Sequence, residues 1–95
     1  MLAFPTKRIA EAYYLDFDFI GRLPLGETID SATAVGSVIS GVDASPDILG
    51  DPLVVSGTIV QVPVQNGVQG VTYKIVVNAV FGSENVDLEG CLAVL

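Results

Sequence analysis

From residue 12 to residue 20 apolar and polar positions alternate: Tyr13, Leu15, Phe17 and Phe19 fall on one side, Tyr14, Asp16 and Asp18 on the other. Side chains change face at each residue of a strand, so this spacing predicts β-structure. Gly21, Pro24 and Gly26 break the run, and residues 27–35 resume as a second β segment. Residues 36–52, rich in Gly, Ser, Asp and Pro, read as a weak strand at Val38 and Ile39 followed by a long surface loop. Residues 53–64 are β again, with a turn or bulge at Ser56 and Gly57. There Thr58, Val60, Val62 and Val64 share a face, and Pro63, which lacks a ladder donor, predicts a sheet edge or bulge. Asn66-Gly67 is a reverse-turn signal. Two more strands follow, at 71–81 and 84–94, with Gly90 read as a bulge in the last one.

No stretch carries the i, i+3, i+4 apolar pattern of a helix. Short strands punctuated by Gly and Pro predict an all-β fold, an immunoglobulin-like β-sandwich over residues 12–95; a small β-barrel is the alternative. Residues 1–11 hold no clear period, yet Leu2, Phe4, Pro5 and Ile9 are more apolar than a solvated tail requires. They read as an extended N-terminal arm that docks on a neighbour.

Composition adds a tension. The chain is 51% hydrophobic, yet carries 11 acidic against 4 basic residues, a net charge of −7. A single core in so small a domain leaves apolar surface over, which points to assembly with other proteins. The charge argues against nucleic acid, since phosphate binding needs clustered Lys and Arg. No segment has the length and apolarity to span a bilayer, and the first ten residues lack the apolar run of a signal peptide. The reading is therefore of a protein made and used in soluble form, without a membrane partner. With no histidine, catalysis would rest on carboxylates alone.

Those carboxylates make no complete site. Asp16 and Asp18 share a face, but the same pattern protects a strand edge from unwanted pairing. The acidic loop at 43–51 offers Asp43, Ser45, Asp47 and Asp51, yet the sixth and twelfth positions of a calcium loop would be Ile48 and Val54. Cys91 lies among apolar residues and reads as a buried small hydrophobe. Gly67 and Gly70 precede a strand, not the helix of a phosphate loop. No catalytic residue, metal ligand or cofactor is assigned.

Three ordered motifs carry a resemblance. They are YLDF with Asp16 and Phe17, LPLGETI with Leu23, Pro24, Gly26 and Thr28, and NGVQGVTY with Gly67, Gly70 and Tyr73. Together, over about residues 12–90, the chain resembles the immunoglobulin-like fibre-tail adaptor proteins of tailed bacteriophages. The tryptophan usual in that family's next strand is missing, with Ala34 and Val35 near its place. The resemblance implies a virion structural protein, assembled in the host bacterial cytoplasm, that forms a ring or collar of its own copies and joins tail or portal components to fibres. In such a role Leu2, Phe4, Pro5, Ile9, Asp43, Asp47, Leu92 and Leu95 are the expected interface. The motif residues would be scaffold, with the Tyr73 ring buried and its hydroxyl bonded to loop backbone. A receptor- or carbohydrate-binding module, with Tyr13 and Tyr14 as the aromatic pair, and a capsid decoration protein are the alternatives.

Overall fold

The computed structural model describes residues 2–95; the first residue of the expected arm lies outside them. Seven strands run in the order β1 (Leu2–Ala3), β2 (Tyr13–Asp18), β3 (Ser31–Ser40), β4 (Leu53–Val55), β5 (Ile59–Val64), β6 (Thr72–Phe81) and β7 (Glu84–Ala93). There is no helix among the described residues, and so none long and apolar enough to cross a membrane. The strands form two sheets, β1-β7-β6-β3 and β2-β5-β4, packed as a β-sandwich.

The alternation seen in the sequence sets the faces. Leu15 and Phe17 from β2, and Val60, Val62 and Val64 from β5, are buried toward Tyr73, Ile75, Val77 and Ala79 of β6. Strand β6 lies between β3 and β7 in its sheet, and β5 lies between β2 and β4. Each therefore contributes a full buried row, while the flanking strands show one exposed row. Burial at about 25 cal/mol per Å² of apolar surface removed from water makes this shared row the main source of stability.

Turn chemistry closes the loops. Glu27 N–H donates to Pro24 O at 3.0 Å across a turn whose third residue, Gly26, has φ of 86°, a conformation that favours glycine. Leu23 tucks against the core beside it. At the other end of the sandwich, Gly67 has φ of 106°, and a Cβ there would lie 2.9 Å from Val94 Cγ2.

Several expectations are corrected. Residues 27–30 form no strand: Ile29 is buried and donates its N–H to Gly57 O at 2.8 Å, and β3 starts only at Ser31 and runs on through Val38 and Ile39. Pro63 sits in the central strand β5. It lies beyond the last β4 pair, Leu53 with Gln61, where the neighbouring contact is Gly50 N–H to Pro63 O at 2.9 Å. Gly90 is no bulge, since β6 and β7 stay in register from Thr72–Ala93 to Phe81–Glu84.

The arm is corrected as well. Residues 2–7 dock on their own domain: β1 pairs parallel with β7 (Leu2 with Gly90, Ala3 with Cys91), and Lys7 bridges to Val94. The physical reason is the β7 edge, which would otherwise expose the carbonyls of Cys91 and Ala93; these accept Phe4 N–H at 3.1 Å and Lys7 N–H at 2.9 Å.

Candidate interaction surfaces

Two clusters of side chains organise the upper end of the sandwich, formed by residues 8–12, 41–52, 65–71 and 94–95. The first centres on Lys7, which is 0% exposed. Its Nζ donates to Asn66 O at 2.7 Å, Arg8 O at 2.8 Å and Ile9 O at 3.1 Å, so all three ammonium hydrogens meet main-chain carbonyls. A buried charge is tolerated when its hydrogen bonds are complete. Lys7 thus ties the N-terminal segment to the 65–71 turn, a role that sequence reasoning missed because a lysine beside Arg8 reads as a solvated charge.

Phe4 completes the docking. Its ring meets Phe17 edge-on with centroids 5.2 Å apart, and it lies over Gly90, where any Cβ would collide with the ring. An isolated glycine in a strand pattern is a signal of close backbone or ring approach as well as of a bulge, and here it is the former.

The second cluster centres on Tyr73. Its ring is buried, and its hydroxyl accepts Val68 N–H at 2.9 Å while donating to Asp43 Oδ2 at 2.7 Å. Burial raises the Tyr73 pKa above its ordinary value, with the Asp43 carboxylate adding to the effect and the Val68 N–H opposing it. Asp43 also accepts Ser45 N–H through Oδ1 at 3.2 Å, so this carboxylate holds the loop in shape. Asp47 lies exposed in the same loop, its carbonyl taking Asn66 Nδ2 at 3.2 Å, and Ile48 reaches into the core.

No group of three or more His, Cys, Asp or Glu side chains is placed to hold a metal ion among the described residues. Asp16 and Asp18 point outward from β2 opposite Gln61 and Ile59, and Asp18 Oδ1 accepts Ile20 N–H at 2.9 Å. Tyr13 and Tyr14 lie on opposite faces of β2 and make no joint platform for a sugar. The Tyr13 hydroxyl is buried without a hydrogen-bond partner among the described residues. Desolvation, with the Glu11 charge second, raises its pKa. Cys91 is half-exposed on the outward side of β7, not buried as expected, because it alternates with inward Gly90 and Leu92.

The expected interface residues divide into three groups. Ile9, Asp43, Asp47 and Leu95 all come to the upper end. Leu2, Phe4 and Pro5 lie along the β7 edge, with Phe4 half-buried. Leu92 is corrected: it faces inward opposite Tyr73 and is 0% exposed, so it belongs to the core.

No family model, curated protein or solved structure matches the chain.

What the geometry does provide is apolar surface. The upper end exposes Ile9, Val42, Val68 and Leu95, with Ile39 exposed at the adjoining end of β3, and the same segments carry the exposed acidic residues Glu11, Asp47 and Asp51. The surface depressions are shallow. A groove of about 260 Å³ beside β3 is lined by Ala34, Val35, Gly36, Pro46, Asp47, Ile48 and Leu49, and gathers one carboxylate and no base. A wider groove of about 500 Å³ is lined by Leu2, Arg22, Asp87, Leu88 and Glu89.

Proposed function

We propose that this chain is a structural protein of a bacteriophage tail, an immunoglobulin-like adaptor that connects tail or portal components to fibres and packs with its own copies. The observation that carries the packing role is the upper end of the sandwich with the adjoining end of β3, where five large apolar side chains stand in solvent on a domain whose core is already complete. Large side chains exposed together at one end of a small domain mark a contact surface. The exposed acidic residues on the same segments, Glu11, Asp47 and Asp51, favour a partner with basic residues at its rim.

The phage assignment rests on the three motifs, and their places in the structure agree with a scaffold role. LPLGETI forms the Pro24–Glu27 turn, and NGVQGVTY forms the turn that Tyr73 and Lys7 both hold. Support for the immunoglobulin-like assignment comes from the strand order. One sheet holds β2, β5 and β4 and the other β3, β6 and β7, as strands B, E, D and C, F, G divide in a sandwich of that type, while β1 joins β7 rather than β2; the Tyr73 hydroxyl bonds backbone five residues upstream as in a tyrosine corner.

The test is co-purification of the tagged chain with candidate tail, portal and fibre proteins, followed by electron microscopy of labelled particles. Capture of a tail component, lost in a folded Val42→Asp/Val68→Asp variant, is the expected result. A chain that binds none of these proteins, or that binds them equally with both valines replaced, overturns the proposal.

A further inference from the structure

Asn66-Gly67 is the one Asn-Gly pair in the chain. Asparagine side chains are chemically labile, and before a glycine the next main-chain nitrogen meets no side chain on its way to the amide carbon. That nitrogen gives up its proton and bonds to Asn66 Cγ, Nδ2 leaves with the proton as ammonia, and a succinimide ring closes. Water then opens the ring at one of its two carbonyls. Asn66 is exposed, so ammonia can leave and water can enter. Its amide is held by a single bond, Nδ2 to Asp47 O at 3.2 Å, and Gly67 N–H donates no hydrogen bond among the described residues. Asn78 and Asn85 differ: they lie in β6 and β7, paired to neighbouring strands, and are followed by Ala79 and Val86.

We infer that Asn66 modifies itself by this route and that Lys7 directs the ring opening to isoaspartate. Lys7 Nζ lies 2.7 Å from Asn66 O, the main-chain oxygen that becomes one of the two ring carbonyls. Water adding to that carbon places negative charge on this oxygen, and an ammonium already aimed at it stabilises the charge as an oxyanion hole does. The bond from this carbon to Gly67 N then breaks, the nitrogen takes a proton from the water, and the chain runs on through Cγ. The acid so formed ionises to an α-carboxylate beside the Lys7 ammonium, where the opposite charges strengthen the hydrogen bond. Opening at Cγ gives aspartate instead, with the new carboxylate where Nδ2 had faced Asp47 O. Two acceptors then face each other without a donor between them, and Lys7 keeps only a neutral carbonyl.

Isoaspartate lengthens the main chain by one carbon in the turn that Lys7 and Tyr73 hold, and adds a negative charge to a chain already at −7. The same turn carries exposed Val68, so the conversion alters the apolar end offered to a partner. The inference stands whether or not that partner is a tail protein.

The test incubates the full chain, folded and in urea, at mildly alkaline pH, and follows residue 66 by peptide mass spectrometry, with isoaspartyl methyltransferase labelling to separate isoaspartate from aspartate. Asn66→Gln and Lys7→Met are carried alongside, with circular dichroism to confirm folding. Conversion is expected at Asn66 in the folded chain, with Asn78 and Asn85 intact and no conversion in Asn66→Gln. The ratio of isoaspartate to aspartate is expected to be about tenfold higher in the folded chain than in urea, the effect of one charged hydrogen bond at a developing charge. In Lys7→Met it should fall to the ratio seen in urea. The folded and urea-treated chains share one sequence, so that comparison decides even where Lys7→Met does not fold. A folded chain that keeps Asn66 while the urea-treated chain converts it, equal ratios in the two, or a folded Lys7→Met that keeps the high ratio overturns the inference. None of these results bears on whether a tail protein is captured.

Discussion

Replacing Lys7 by methionine tests the role assigned to the buried ammonium. Methionine keeps most of the apolar stem and removes the charge together with three hydrogen bonds of 2.7, 2.8 and 3.1 Å. Hydrogen bonds involving a charged group contribute about 1.5–3 kcal/mol each. Against them stands the desolvation of the ammonium, several kcal/mol, which the variant no longer suffers. Arg8, Ile9 and Asn66 are exposed residues, so their freed carbonyls can recover water after a small local opening. The balance is a loss of about 2–3 kcal/mol. For a domain of this size each kcal/mol moves the thermal midpoint by about 4–8 °C, so Lys7→Met should melt roughly 10–20 °C lower. Urea denaturation at neutral pH measures the free energy, and limited proteolysis adds a local readout, since residues 8–12 should become cleavable before the sandwich unfolds. A variant within about 0.5 kcal/mol of the unaltered chain, with the same cleavage pattern, would refute the reasoning, because that is the range of surface substitutions.

Two further predictions address the neighbouring contacts. Gly90→Ala puts a methyl group where the Phe4 ring lies, and should cost about 1–3 kcal/mol by displacing Phe4 from Phe17; Phe4→Ala in the same background should add little further loss, and full additivity in a double-mutant cycle would show that the two do not meet. Tyr73→Phe leaves Val68 N–H and Asp43 without their partner and should lower stability at neutral pH by about 1–2 kcal/mol. Because burial and the Asp43 carboxylate hold the Tyr73 pKa above its ordinary 10.0, the unfolded chain ionises first, and the contribution is complete below that pH and lost as pH rises through the folded value. Denaturation between neutral pH and strong alkali should therefore show a shallower alkaline decline in Tyr73→Phe, and equal slopes would contradict the assignment.

Much of the fold was legible because strand periodicity is a local property. Residues 13–18, 59–64 and 72–81 each announce their buried side by alternation, and each buries the expected row; in 84–93 Gly90 reads as a register reset that the structure does not have, so Leu92 rather than Cys91 faces the core. Tyr73 was legible too, since a tyrosine two residues into a long strand after a glycine turn has loop backbone within reach of its hydroxyl. Residues 27–30 misled because Thr28 and Ile29 have the β-branched character of a strand, and Ile29 is buried as strand residues are. Only its hydrogen bond to Gly57 shows that it is held by a loop.

Local sequence pattern was enough for most of the β segments and for the turns at Gly26 and Gly67. Long-range packing sets which strands become edges and what meets them. Phe4 is far in sequence from Phe17 and Gly90, and Lys7 from Asn66, and no local pattern records that a lysine will be enclosed by carbonyls or that a glycine will lie beneath a ring. The same holds for β3. Its uncharged alternation suits a central strand equally well, and only the sheet order, which among the described residues leaves it with β6 on one side and the 46–49 loop rather than a strand beside Gly36, makes it an edge.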